Sequence, residues 1–433
     1  MEGEDREQDS VPGKALRVLE KYPLCDRCLG RLFAGLGYGW SNRDRGEALK
    51  KTIVMMLHER IRLGIPGSME RFREIAPNIG EHAGPLYEKL YGERLEPRAC
   101  YICGGLLDRV IEESSVKGKS LLKAYDVTRY VVGVKVDRLM EERERGLREE
   151  FQLPFGESIR AEIRREVGKR IMDEEMKPDF AEPEATLLVH YPSGSLDLQV
   201  NSLLLRVRYW KKARFISQAY WPSPEGPRYF SVEQAAWGLL KLTGAERLVL
   251  HASGREDVDA RMLGSGRPAV IELKVPRRRR FTLAELEEWA NKEARGLVEF
   301  RVYGYADRRM IRYYKEEHSR TRKIYKALIA VEREVNGEDL RGLEEFFRNR
   351  VVLQRTPRRV LHRRPDVLRK RTVYSVKCTS IARGVIECLV SSEGGLYVKE
   401  LVSGDEGRTK PSFSEYLGAR SECVELDVLY VEH

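Results

Sequence analysis

The sequence predicts an α+β protein of several domains, and three observations carry that expectation. Two Cys-x-x-Cys pairs bracket a helical N-terminal stretch; strands with one clear amphipathic helix fill the middle; helix-capping signals alternate with strand-like runs beyond it. A chain of 433 residues, 42% of them hydrophobic, is long enough for roughly two to four separate cores. The chain is expected to divide into a flexible tail (1–13), a helical four-cysteine region (14–107), a strand-rich module (108–215) and a larger C-terminal domain (216–433).

Charge narrows the function class. Lys and Arg number 78 against 68 acidic residues, a net charge of +10. A basic chain suits a polyanion such as nucleic acid, with an acidic membrane surface as the rival partner. No apolar run approaches the ~18 residues of a spanning helix, and no charged-then-apolar leader opens the chain. A soluble, intracellular, cytoplasmic protein is therefore expected.

The tail is polar and acidic, and residues 14–22 carry Ala15, Leu16, Val18 and Leu19 at spacings that suit a short helix ended by Pro23. Cys25-Asp26-Arg27-Cys28 follows, then a helical stretch at 43–63, then Cys100-Tyr101-Ile102-Cys103-Gly104-Gly105. Two thiolates separated by two residues reach one metal from a tight turn, and a second such pair completes a tetrahedral site. A structural zinc on Cys25, Cys28, Cys100 and Cys103 is expected, a staple with no open position for catalysis. A redox dithiol and unrelated buried cysteines are the alternatives. Seven cysteines make an odd, sparse set that argues against a secreted disulfide framework, and Cys378, Cys388 and Cys423 are expected as small core residues.

In the middle of the chain, residues 128–136 are β-branched and aromatic, a strand, while Ile159, Ile163, Val167 and Ile171 recur every fourth residue, an amphipathic helix. Residues 185–189 and 196–200 read as a hairpin around Tyr191-Pro192-Ser193-Gly194-Ser195. The run 203–212 interleaves basic and aromatic residues, which suits RNA contact or else a solvated basic sheet edge. Beyond it, Ser231-Val232-Glu233-Gln234 reads as a capping box for a helix that Gly244 closes, and Thr282-Leu283-Ala284-Glu285 as a second box. Strands are expected at 298–303 and 324–331.

Between two apolar strands, 247–251 and 269–273, lies a stretch of charges and glycines that begins Ser253-Gly254-Arg255-Glu256-Asp257-Val258-Asp259-Ala260. In extended or turning backbone, Arg255, Asp257 and Asp259 could line one wall, and a neighbouring cation would hold a carboxylate ionised, as a nucleophile must be. A salt-bridged surface turn is the competing reading of the same spacing. Gly264-Ser265-Gly266 precedes a strand and lacks the helix start of a phosphate loop. Downstream, Tyr325 sits amid basic residues, a ring on which a flipped base could pack. Residues 348–371 hold ten Lys or Arg and one acid, Asp366, a balance that suits a phosphate-tracking strand. Strand alternation would put Tyr397 and Lys399 on one face.

Gly254-Arg255-Glu256-Asp257-Val258-Asp259-Ala260-Arg261, Arg358-Arg359-Val360-Leu361-His362-Arg363-Arg364-Pro365 and Gly407-Arg408-Thr409-Lys410-Pro411 together resemble the pseudouridine synthase superfamily. The resemblance is to the archaeal and eukaryotic family that isomerises uridines 54 and 55 of tRNA. It reaches Cys25-Asp26-Arg27-Cys28-Leu29-Gly30-Arg31-Leu32 and so covers most of the chain. It implies a C-terminal synthase domain on a mixed, mainly antiparallel sheet, and a THUMP-like α/β RNA-binding module in the middle.

The same resemblance places the essential aspartate on Asp257, with Asp259 as rival. It sets Tyr325 and Tyr397 against the uracil, Arg255 at the substrate, and Lys399 as the aspartate's charge partner. Arg358, Arg359, Arg363 and Arg364 would bind RNA. The implied reaction uses no organic cofactor and no protein partner. The uridine is flipped, Asp257 starts glycosidic cleavage by attack on sugar or base, and the rotated uracil rejoins through carbon 5. A non-catalytic RNA-binding protein or tRNA chaperone is the first alternative. Another THUMP-bearing tRNA modification enzyme is the second, and no nucleotide or methyl-donor loop speaks for it.

Overall fold

The computed structural model describes residues 10–222, 225–317 and 321–432. Most of the expected tail, residues 1–9, lies outside the described residues. The chain divides into two compact units, Met1–Asn201 and Ser202–His433.

In the first unit, helix Val11–Lys21 starts inside the expected tail, because the Ser10 side chain caps the N–H of Gly13 and Pro12 suits a first turn. Helix Asp26–Leu32 packs on helix Asn42–Arg62, which opens with a Ser41/Asp44 capping box. Their contact requires Gly30, since a Cβ there would lie 1.8 Å from the carbonyl oxygen of Asn42. The sheet of this unit holds β1 (Arg129–Val136), β2 (Lys177–Pro178), β3 (Ala185–Tyr191) and β4 (Leu196–Val200) in the order β2-β1-β3-β4. β1 is parallel to both neighbours, and β3 and β4 form the expected antiparallel pair. Helices Leu107–Ala124 and Ile159–Ile171 cover it, so that one apolar core runs from Ala15 to Tyr191. The cysteine-bearing helices and the strand-rich module therefore share a core.

A buried ion cluster crosses that core. Arg31, fully buried, donates to Glu144 (2.7 Å) and Glu162 (3.0 Å), and Arg27 reaches Glu162 (3.2 Å). Removing one member would leave a buried charge uncompensated, so the cluster ties helix Asp26–Leu32 to helices Arg138–Glu150 and Ile159–Ile171.

The second unit is a ten-stranded sheet among the described residues. Its strands are β5 (Leu203–Lys211), β6 (Arg247–Ala252), β7 (Arg261–Lys274), β8 (Val298–Tyr305), β9 (Arg322–Val331), β10 (Arg350–Gln354), β11 (Arg369–Ala382), β12 (Val385–Glu393), β13 (Thr409–Lys410) and β14 (Ser421–Val431). The order is β13-β10-β11-β12-β9-β14-β7-β5-β8, with β6 also on β7. Only the β14–β7 pair is parallel among these described strands, giving the mixed, mainly antiparallel sheet that was expected.

Several expectations change. β5 belongs to this larger sheet, so the boundary falls after Asn201 and not after residue 215. Tyr209 and Lys211 are fully buried and Trp210 donates from Nε1 to the Gly264 carbonyl of β7, so this run is an internal strand and not a sheet edge. The helix after Ser231 breaks into Val232–Ala235 and Gly238–Thr243. Glu233 accepts the N–H groups of Tyr220 (2.7 Å) and Leu250 (3.0 Å), so its carboxylate packs tertiary structure. The Thr282/Glu285 box forms as expected. Cys378 and Cys388, directly opposite on β11 and β12, are joined in a disulfide and are not free core thiols.

Candidate active site

A cavity of about 540 Å³ opens where β14 and β7 run parallel, and it gathers residues from six parts of the second unit, among others. Arg255, Glu256 and Asp257 come from the β6–β7 loop, Lys323 and Tyr325 from β9, and Leu426 and Val428 from β14. Arg359 and Arg364 come from the segment after β10, Arg369 and Arg371 from β11, and Leu396, Tyr397 and Lys399 from the segment after β12. Strand pairing explains the convergence, since Tyr325 faces Val428 across the β9–β14 ladder.

Asp257 is half-buried, and its carboxylate meets the Arg359 guanidinium at 2.9 Å. Arg359 also donates from Nε to Glu400 at 2.6 Å and lies over the Tyr397 ring, 5.9 Å from its centroid. Burial works against the charge of Arg359, but Glu400 and Asp257 together hold its pKa well above the ordinary value. Asp259 points to a different partner, Lys399. Burial opposes its ionisation, yet the bond and charge of Lys399 hold Asp259 below the usual carboxylate range. Thus the expected pairing of Lys399 with Asp257 is replaced by Arg359 with Asp257 and Lys399 with Asp259. The reason is local: Val398–Ser403 is a helix with Tyr397 at its N-cap, so Tyr397 and Lys399 do not share a strand face.

The Arg358–Arg363 segment is likewise a 3-10 helix and not a phosphate-tracking strand. Val360 is buried, Arg358 is held by Glu406 and Asp405, and Arg359 turns into the cavity. Arg364 donates to the Tyr397 hydroxyl at 2.9 Å. The side chain of Arg363 lies outside the described residues. Arg255 is exposed on the cavity rim. Tyr325 lines the cavity as a buried ring, and burial followed by the charges of Asp257 and Glu256 outweighs Arg267 and pushes its phenol up to about 12. It stays protonated at neutral pH.

The loop that carries Asp257 is held from below. Lys211 Nζ, buried in the core, donates to the carbonyls of Ile216 (3.0 Å), Asp257 (2.9 Å) and Val258 (3.3 Å). Glu256 is buried and accepts from Arg267 Nε (2.8 Å) and from the Tyr209 hydroxyl (3.0 Å). Arg214 donates to the Asp259 carbonyl (2.9 Å). Such bonds fix three consecutive carbonyls and the side chain before Asp257, so the carboxylate is presented by a rigid loop. β7 begins directly after it, which makes Gly264-Ser265-Gly266 part of a strand. A Cβ on Gly264 would sit 2.0 Å from the Leu429 carbonyl oxygen and one on Gly266 2.6 Å from the Trp210 ring, so the glycines serve close packing.

In the first unit the sulfur atoms of Cys25, Cys28, Cys100 and Cys103 lie within 4.8 Å of one another. Cys25 and Cys103 are 3.6 Å apart, close to the edge of about 3.8 Å that a tetrahedron with metal–sulfur bonds of about 2.3 Å requires. The Cys28 N–H donates to the Cys25 sulfur at 3.5 Å, and Arg31 Nη2 to the Cys28 sulfur at 3.7 Å. Four thiolates this close repel one another without a cation, and the residues present fit a metal ion.

Comparison with known proteins gives a consistent result. Residues 205–432 match the family model described as Pus10, C-terminal, and residues 117–190 the archaeal Pus10 THUMP domain. The chain belongs to the Pus10 family. An Aeropyrum pernix protein named tRNA pseudouridine synthase Pus10 is 56% identical over 97% of both chains. Proteins of that name from Ignisphaera aggregans (42% identical; 98% of this chain, 99% of that one) and Thermosphaera aggregans (39%; 96% of each) are similar throughout.

The structure brings the expected Asp257, Tyr325 and Tyr397 into one cavity and the four expected cysteines into one cluster. Sequence reasoning missed that Glu256, Arg267 and Lys211 hold the Asp257 loop. A signal existed for Lys211, which falls on the same parity as Leu205, Val207 and Tyr209, the core-facing positions of β5.

Proposed function

We propose that the protein is a tRNA pseudouridine synthase that isomerises uridine at positions 54 and 55 of the TΨC arm. The observation that supports this best is Asp257, a carboxylate on a rigid loop, lining a cavity together with the Tyr325 ring and held by Arg359. A uridine flipped from its loop would enter that cavity, and unstacking it costs a few kcal/mol. Arg255 at the rim, Arg358 and Arg364 would offset that cost by holding phosphates, with Arg363 beside them by sequence. Tyr325 and Tyr397 supply rings for the base.

Asp257 then acts as nucleophile. Arg359 keeps the carboxylate ionised before attack and, tied to Glu400, does not follow it away. The glycosidic bond breaks, the uracil turns within the cavity, and its carbon 5 bonds to carbon 1′ of the ribose. Carbon 5 then loses its proton. No organic cofactor is needed, since the product is an isomer of the substrate. Lys399 supports the site through Asp259.

The metal is proposed to be zinc. An all-cysteine tetrahedral set selects zinc over oxygen-seeking cations, and four protein ligands leave no position for substrate. Cys25, Cys28, Cys100 and Cys103 would hold it as a staple of the RNA-binding unit. A cytoplasmic location is proposed with the same reading, where tRNA is the partner.

Mapping pseudouridines on an unmodified tRNA transcript treated with the purified protein tests the reading. Modification at 54 and 55 is expected; a transcript left unmodified, or modified only elsewhere, would overturn it.

A further inference from the structure

Among the described cavity residues Lys323 is a buried amine without a protein partner. Lys323 is 5% exposed, and its Nζ has neither hydrogen bond nor ion pair, although it lines the same cavity as Asp257. Burying an amine in that way is unfavourable unless the site uses it. Alternation along β9 puts Lys323 on the face of Tyr325. Close to it, the buried Nε of Arg371, which also lines the cavity, has no hydrogen-bond partner. An amine without a protein partner beside an unsatisfied Arg371 donor in one cavity marks where a polar ligand would sit.

The charged groups that act on Lys323 come from three elements: Arg267 on β7, Glu256 in the β6–β7 loop and Arg371 on β11. Burial first, then the repulsion of Arg267 and Arg371 against the attraction of Glu256, lowers the Lys323 pKa to about 7. The neutral, basic form of the amine is therefore accessible near neutral pH.

We propose that Lys323 is the base that removes the proton from carbon 5 of the rotated uracil. The inference rests on the isomerase reading above. Once carbon 5 has bonded to the ribose it carries both that bond and its hydrogen, with a double bond between C6 and N1. Lys323 takes the hydrogen as a proton, and the C–H pair restores the C5–C6 double bond. The C6–N1 pair withdraws to N1, which is then protonated, and the ammonium returns the proton it accepted. Nothing is oxidised or reduced. The other candidates in the cavity are engaged: Asp257 by Arg359, Lys399 by Asp259, and Glu256 by Arg267 and Tyr209. Tyr325 is held as a phenol.

The test uses full-length protein and tRNA carrying tritium at carbon 5 of uridine, under single turnover. Wild-type tritium release is expected to rise with pH through about 7 and then level, as the neutral amine accumulates. Lys323→Met should release tritium roughly 100-fold more slowly, the usual scale of a lost general base, while binding tRNA like wild type. It should also lose the pH limb. Lys323→Arg, which keeps a cation but not a base, should be as slow as the methionine variant.

The unfolded chain keeps this lysine protonated to its ordinary 10.5, so wild-type stability rises with pH between about 7 and that value, and Lys323→Met should lose this slope. Activity in Lys323→Arg, or an unchanged pH profile in Lys323→Met, would overturn the proposal. If the methionine variant does not fold, the arginine variant decides. A wild-type protein that forms no pseudouridine would instead sink the isomerase reading.

Discussion

Arg359 spans two carboxylates, Asp257 at 2.9 Å and Glu400 at 2.6 Å, and this fork is what a point charge cannot copy. Arg359→Lys is therefore expected to lose pseudouridine formation almost as severely as Arg359→Ala, by roughly 100-fold. Single-turnover rates check it; a lysine variant of near wild-type rate would show that charge alone suffices. Asp257 was singled out by resemblance, since by spacing alone Arg255-Glu256-Asp257 also reads as a salt-bridged surface turn. The partner of Asp257 was not legible, because a 3-10 helix far along the chain supplies it and a basic run gives no sign of which arginine turns inward. Lys399 was misassigned for a related reason: a strand and a short helix place residues two apart on different faces.

Among the elements, the helices and strands with strong periodicity were readable, as Ile159–Ile171 and β9 show. What failed were segments whose polar groups serve tertiary contacts. Ser231 caps Gln234 while Glu233 beside it bonds Tyr220 and Leu250, and the charged residues of β5 and the β6–β7 loop look solvent-facing until Lys211, Glu256 and Arg267 are seen to satisfy one another underneath. The cysteine pairs were readable because ligand spacing is a local rule, whereas the Cys378–Cys388 disulfide depends on the register of β11 on β12. At this scale the expected result is about one zinc per chain by elemental analysis. Cys100→Ser should lose the metal and loosen the first unit, seen as a lower melting temperature and faster proteolysis within residues 10–201. A metal-free wild-type protein of unchanged stability would refute the zinc assignment.

For the whole molecule, the net charge of +10 and the arginine-lined cavity anticipate binding dominated by phosphate contacts. The logarithm of tRNA affinity should fall linearly with the logarithm of salt concentration. Arg358→Ala, at a site off the cavity, should flatten that slope by about 0.7–0.9 if the side chain holds one phosphate. An unchanged slope would remove Arg358 from the interface. The α+β class, the mixed sheet and the THUMP-like module were legible from pattern and resemblance. The unit boundary was not, because β5 carries the basic and aromatic residues of an RNA surface while contributing Tyr209 and Lys211 to the core of the second unit. No helix among the described residues is long and apolar enough to cross a membrane.

The most direct measurement of the central claim compares Asp257→Ala with Asp259→Ala in pseudouridine formation and tRNA binding, side by side. Asp257→Ala is expected to form none while binding tRNA within a few fold of wild type, and Asp259→Ala to retain measurable activity because its carboxylate only anchors Lys399. Pseudouridine formed by Asp257→Ala would contradict the assignment.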